Sequence, residues 1–288
     1  MKGNSSRGGA LVAGLGFGGA LGVLIGALVL GQAIPGFGGS SSATTETTTV
    51  QAAPNDQATN NKDQGAEDFY SRQGPELVKN SLAKRPVLIL EQEGATATGA
   101  VRDQLKAAGA VDSGTITLKD SMFAQDSADK LSAVATSALP AGTNLPEDNS
   151  GPGSKAGLAM GQALFFDPKT AQQRINEDQR ETFLHALRDS GFINYQDKTI
   201  RPGQEIVIVT KDPKDAQNRD FYGNMLNSLA GGMKKQGNGM AVVGPGAAGI
   251  DSIFSVTNVD SSWGRAAMVM SLSDQLRIDD ATAVGMPH

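Results

Sequence analysis

Cysteine is absent from this 288-residue chain, and histidine occurs only twice. Without cysteine there is no disulfide framework, no zinc finger or ribbon and no thiol redox centre. Two histidines cannot build a zinc site of three. Aromatic residues are scarce, at 5%. Basic side chains are outnumbered 25 to 30 by acidic ones, for a net charge of −5. That balance argues against nucleic acid as a partner. Lys2 and Arg7 supply +2 of the total, so the chain after Arg7 carries −7. The residue in excess is glycine, with 36 copies.

No charged residue lies between Gly8 and Thr45. Within that stretch residues 9–30 read GALVAGLGFGGALGVLIGALVL. As a helix this run extends about 33 Å, enough for a bilayer core of about 30 Å. Lys2 and Arg7 precede it, and the positive flank stays in the cytoplasm. The expected layout is a cytoplasmic N-terminus over 1–8, a single transmembrane helix over 9–31 and an extracytoplasmic remainder. A cleaved signal peptide is the alternative, with Gly31 and Ala33 at suitable spacing for cleavage. The run is longer than the usual apolar core of a signal peptide. Gly14, Gly18, Gly22 and Gly26 recur every fourth residue and share one helix edge. In lipid such an edge lets a second helix approach closely, so self-association or pairing with another membrane protein is expected there.

Residues 32–65 are rich in Ser, Thr, Gly, Asn and Gln and carry few apolar side chains. They read as a disordered linker. Periodicity returns in 66–279, and 280–288 reads as a flexible tail. Continuous apolar runs at 86–90 (PVLIL), 205–209 (EIVIV) and 240–243 mark strands buried on both faces. Shorter strands are expected at 114–118 and 252–256. Helical spacing covers 95–108, 126–139, 155–166, 177–190, 220–235 and 261–276, the last capped by Ser261 or Ser262. Strands alternating with helices predict an α/β fold with an open parallel sheet, Rossmann- or flavodoxin-like in layering. Strand order is not readable.

The motifs carry little chemistry. Gly244-x-Gly246-x-x-Gly249 follows a strand, but no helix or ribose-binding acid follows at the required distance. It reads as a tight turn. The chain has no GxSxG, no HExxH and no phosphate-loop lysine motif. His185 lies on the wetter side of its helix, one turn after Glu181, and reads as a solvated histidine. Phe183, Leu184 and Leu187 form that helix's apolar edge. Soft Cu(I) takes thiolate or thioether ligands, and imidazole also suits copper. Met268 and Met270 stand two apart on a helix and so do not share a face. Met286 and His288 sit together in the terminal tail. No catalytic, cofactor or metal residue is assigned on these grounds.

Three segments resemble the actinobacterial MctB/SteB family: DFY at 68–70, GPELVKNSLAKRPVLIL at 74–90 and GPGAAGIDSIFSVTNVDSSWGRAAMVMSLSDQL at 244–276. The family's VDNVDT-like turn before the last helix reads VTNVDS here, and the resemblance makes Asp260, with Trp263 and Gly264 just after the turn, family-motif positions. The resemblance implies a membrane-anchored, non-enzymatic α/β protein of the cell envelope. SteB-type members imply septal cell separation, with a SteA-like membrane protein and a peptidoglycan hydrolase or its regulator as partners. MctB-type members imply copper transport or homeostasis. The zero cysteine count favours the first role, and the second stands as the alternative. Two features depart from the MctB pattern. The polar linker replaces the usual coiled coil, and the tail reads Gly285-Met-Pro-His288.

Overall fold

The computed structural model describes residues 56–143, 145, 151–216, 218–251 and 253–283. The expected transmembrane span, with Gly14, Gly18, Gly22 and Gly26, lies outside the described residues. Among the described residues no helix is long and apolar enough to cross a membrane.

The elements run α1 (Asp56–Leu77), β1 (Pro86–Gln92), α2 (Thr98–Ala107), β2 (Val111–Leu118), α3 (Ala128–Ser137), α4 (Pro152–Leu164), α5 (Glu177–Asp189), β3 (Ile193–Tyr195), β4 (Glu205–Val209), α6 (Arg219–Lys234), β5 (Gly239–Val243), β6 (Phe254–Val256) and α7 (Ser262–Ala283). The six strands form one sheet in the order β3-β2-β1-β4-β5-β6. The four pairings within β2-β1-β4-β5-β6 are parallel. The β3–β2 pairing is antiparallel, with Ile116 opposite Tyr195 and Leu118 opposite Ile193. That strand departs from the expected parallel sheet. Its three residues are too few to show a period. It follows α5 through a tight turn at Gly191, whose φ is +85°.

The sheet is covered on both faces. Alternation along β1 sends Leu88 and Leu90 to one side and Val87 and Ile89 to the other. The first side packs against α3, α4, α5 and α6, through residues such as Leu131, Phe183 and Leu226. The second packs against α2 and α7, through Val101, Leu105, Val269 and Leu272. Strands buried on both faces explain why β1, β4 and β5 read as continuous apolar runs.

Two helices run past the limits expected for the α/β domain. Helix α1 begins at Asp56, inside the segment read as linker, and α7 continues to Ala283, into the segment read as tail. Docking explains the first. Tyr70 packs on the α2–α7 side of the core, and the Glu67 carboxylate accepts the Ser262 backbone N–H at 2.7 Å. With one turn of α1 held in this way, each further turn needs only one backbone bond per residue fixed.

The start of α7 is closed twice. Ser261 Oγ accepts the Gly264 N–H at 3.1 Å, the N-cap pattern, while Glu67 takes the Ser262 N–H. The carboxylate also meets the positive end of the helix. Glu67→Ala should therefore destabilise the protein by about 1–2 kcal/mol, since a charged cap bond is lost. Urea unfolding checks it, and an unchanged midpoint would show that Ser261 suffices alone.

Candidate functional site

In an open sheet of this strand order, ligands bind beyond the carboxyl ends of the strands where the order reverses, here between β1 and β4. Protein side chains occupy that crevice. Gln92, 1% exposed, accepts at Oε1 from the Lys211 backbone N–H at 2.9 Å and from the Tyr222 hydroxyl at 2.7 Å. Burial pushes the Tyr222 phenol up to about 12, which keeps it a neutral donor. Lys211 Nζ lies 2.6 Å from Asp120. The neighbouring turn after β5 is equally tight. A Cβ on Gly244 would stand 2.3 Å from Thr210 O, and one on Gly246 2.7 Å from the Tyr222 hydroxyl. These glycines serve packing, in agreement with their reading as a turn rather than a phosphate cradle.

The family-motif residues fall at the start of α7. Gly264 is buried, and a Cβ there would meet Asn258 O at 2.2 Å. Asp260 is exposed, and its backbone carbonyl accepts from Arg265 Nη1 at 2.6 Å. Trp263 is half-buried in the first turn. Together they form a helix-entry corner, and among them only Asp260 and Trp263 reach solvent.

A different group of side chains carries ligand chemistry. An Asn176–Gln179 capping box fixes the start of α5. Phe183, Leu184 and Leu187 bury its inner edge. Glu181 and His185, one turn apart, are thereby left on the outer flank. Beyond β3 the chain turns, and Asp197 comes back beside them. His185 Nε2 lies 3.7 Å from Glu181 Oε2 and 4.0 Å from Asp197 Oδ1. One ligand atom from each of the three residues lies within 4.8 Å of the others. The Tyr195 ring meets the imidazole edge-on, with centroids 6.2 Å apart. Its hydroxyl points to Glu181 Oε2 at 3.5 Å. Burial first, then the Glu181 charge, push the Tyr195 phenol up to about 12. Arg188 completes the group. It lies 2.5 Å from Asp197 Oδ1 and 2.8 Å from His185 Nδ1, with its guanidinium over the Tyr195 ring.

The Glu181–His185 contact is legible in the sequence, and the approach of Asp197 is not. The helix spacing carried the first. The second depends on β3 and its turn, which left no periodic signal. Most of the described methionines serve the core. Met122, Met160, Met225, Met233, Met240 and Met268 are buried in the core. Met270, half exposed, faces away from Met268, as their spacing predicts.

The family model described as "Copper transport outer membrane protein, MctB" matches residues 10–285. The curated protein "Copper transporter MctB" of Mycobacterium tuberculosis is 28% identical over 244 residues, covering 77% of this chain and 77% of its own. The protein of the same name from Mycobacterium bovis gives the same figures, 28% over 244 residues. That from Mycobacterium leprae is 30% identical over 200 residues, 63% of each chain. The match runs through the charge-free N-terminal stretch and the whole α/β domain, and the chain belongs to the MctB family of copper transport outer membrane proteins.

Proposed function

We propose that this protein handles copper in the cell envelope, as a non-enzymatic member of a transport family. The family match over residues 10–285 carries this reading, together with relatives named as copper transporters. It reverses the order of the two roles drawn from the resemblance, since those names speak of copper and none speaks of cell separation. The zero cysteine count, which favoured the separation role, weighs only against thiolate sites. Imidazole and carboxylate ligands bind copper as well. The −7 carried after Arg7 draws cations toward the molecule at low ionic strength. Retention of the 9–31 helix as an anchor would hold the domain at a membrane surface, with its cytoplasmic foot at Lys2 and Arg7.

Growth of a deletion strain in graded copper tests the proposal. Reduced tolerance, restored by the full chain, is the expected result. Unchanged tolerance would remove the copper role. Chained daughter cells at unchanged tolerance would instead favour septal separation, with a SteA-like membrane partner and a peptidoglycan hydrolase to be sought by crosslinking.

A further inference from the structure

We infer that Glu181, His185 and Asp197 bind a single Cu(II) ion, and that Arg188 holds the site in its metal-free form. The choice of copper rests on the proposed function, whereas the site rests on its own geometry. Two neighbouring ligands of an ion at about 2.0 Å stand about 3 Å apart. The separations of 3.7 and 4.0 Å around His185 Nε2 need a contraction of up to about 1 Å, and the Glu181 and Asp197 ligand atoms, within 4.8 Å of each other, one of up to about 2 Å. His185 is 44% and Asp197 57% exposed, so the ion can enter and water can fill the remaining positions.

The ligand set selects the oxidation state. One imidazole and two carboxylates are borderline-to-hard donors and suit Cu(II), while Cu(I) wants thiolate or thioether. The chain has no cysteine, and its buried methionines fill the core. For a fixed set of nitrogen and oxygen ligands Cu(II) binds more tightly than Ni(II) or Zn(II).

Arg188 is the competing cation. A guanidinium has no lone pair, so its approach to His185 Nδ1 at 2.8 Å makes that nitrogen the acceptor. The ring proton then sits on Nε2, facing the two carboxylates. Metal-bound histidine usually donates its second N–H to an acceptor, the reverse of this arrangement. For Cu(II) to take Nε2, that proton must move to Nδ1 and Arg188 must swing away. Arg188 also occupies Asp197 Oδ1, at 2.5 Å. Charge and tautomer thus both oppose the metal until the arginine leaves.

The test is titration of the full chain in detergent with copper sulfate, glycine serving as competing chelator and electron paramagnetic resonance as readout. Expected is a type of signal with one imidazole nitrogen. His185→Ala should lower affinity about 100-fold and Glu181→Gln about tenfold, at or beyond the loss seen when outer-shell partners are removed. Arg188→Ala should raise affinity roughly thirtyfold, by removing one unit charge about 4 Å from a divalent ion in water. His288→Ala should change nothing. Unchanged affinity in His185→Ala, or a loss confined to His288→Ala, overturns the site. Unchanged or weakened affinity in Arg188→Ala overturns the role given to the arginine. Circular dichroism shows whether each variant is folded, and none of Glu181, His185 and Arg188 belongs to the buried core. If the purified chain binds no Cu(II) while the deletion strain is copper-sensitive, the site fails alone. If it binds through His185 while the strain keeps full tolerance, the copper role fails and the site stands.

Discussion

Gly157→Leu is expected to yield no folded protein, and Gly157→Ala a protein weakened by about 3 kcal/mol or more. On α4, Gly153, Gly157 and Gly161 recur every fourth residue and face α6. A Cβ on Gly157 would lie 2.1 Å from Leu229 O, and one on Gly232 of α6 would lie 2.3 Å from Ser154 O. The two helices therefore meet backbone to backbone. Overpacking normally costs about 1–3 kcal/mol, because side chains can shift. Here the obstacle is a main-chain carbonyl with no rotamer to yield, so the helices must part and the contacts around Met225, Leu229 and Met233 go with them. Gly223→Ala, on α6, is the control. No atom lies within 4 Å of its Cβ position. That change should stabilise by up to about 1 kcal/mol through helix propensity. In a domain of this size 1 kcal/mol moves Tm by about 2–4 °C, so the two alanine variants should differ by roughly 10 °C or more. Equal midpoints would mean that the helices tolerate separation.

This glycine face shows where the sequence was readable and where it was not. The stripe at Gly14, Gly18, Gly22 and Gly26 stands out because it lies in an apolar run. The same spacing on α4 carries no such mark, since each glycine counts against a soluble helix. Tertiary packing overrode propensity. The runs at 86–90, 205–209 and 240–243 announced β1, β4 and β5 because a strand buried on both faces needs nothing but apolar residues. β3 escaped because three residues carry no period, and Asp197 escaped with it. The Glu181–His185 pair was visible because helix geometry alone sets it. Its meeting with a third ligand is a product of topology, and so is the filling of the switch-point crevice by Gln92 and Tyr222.

The second large effect concerns Glu205, the first residue of β4 and fully buried. A Cβ on Gly239, its neighbour on β5, would stand 2.8 Å from the Glu205 Cγ. Neither carboxyl oxygen takes a hydrogen bond from the protein. Burial pushes this carboxyl up to about 8, while the charges of Arg85 and Lys234 pull only partly against it. The folded state thus keeps Glu205 protonated where the unfolded chain has ionised it. Below the ordinary value of 4.5 both states hold the proton, and the full stability is present. As pH rises from there the unfolded state releases its proton first, so stability falls until the folded group titrates near 8. A separation of this size corresponds to roughly 4–5 kcal/mol across the window, as an order of magnitude. Asp167 and Asp212 act in the opposite sense at lower pH. Backbone N–H donors and Arg174 lower the first despite its desolvation, and Lys214 lowers the second. Their contribution is lost only as pH falls below the carboxylate range, so the two effects do not overlap. Glu205→Gln keeps the shape and removes the charge. It should flatten the decline between about pH 5 and 8 and stabilise the protein at pH 8 by about 4 kcal/mol. Urea midpoints at several pH values measure this directly. Parallel pH profiles for the two proteins would mean that Glu205 stays ionised in the fold, paired with Arg85 or Lys234, and that the strand end is held by charge rather than by a neutral acid.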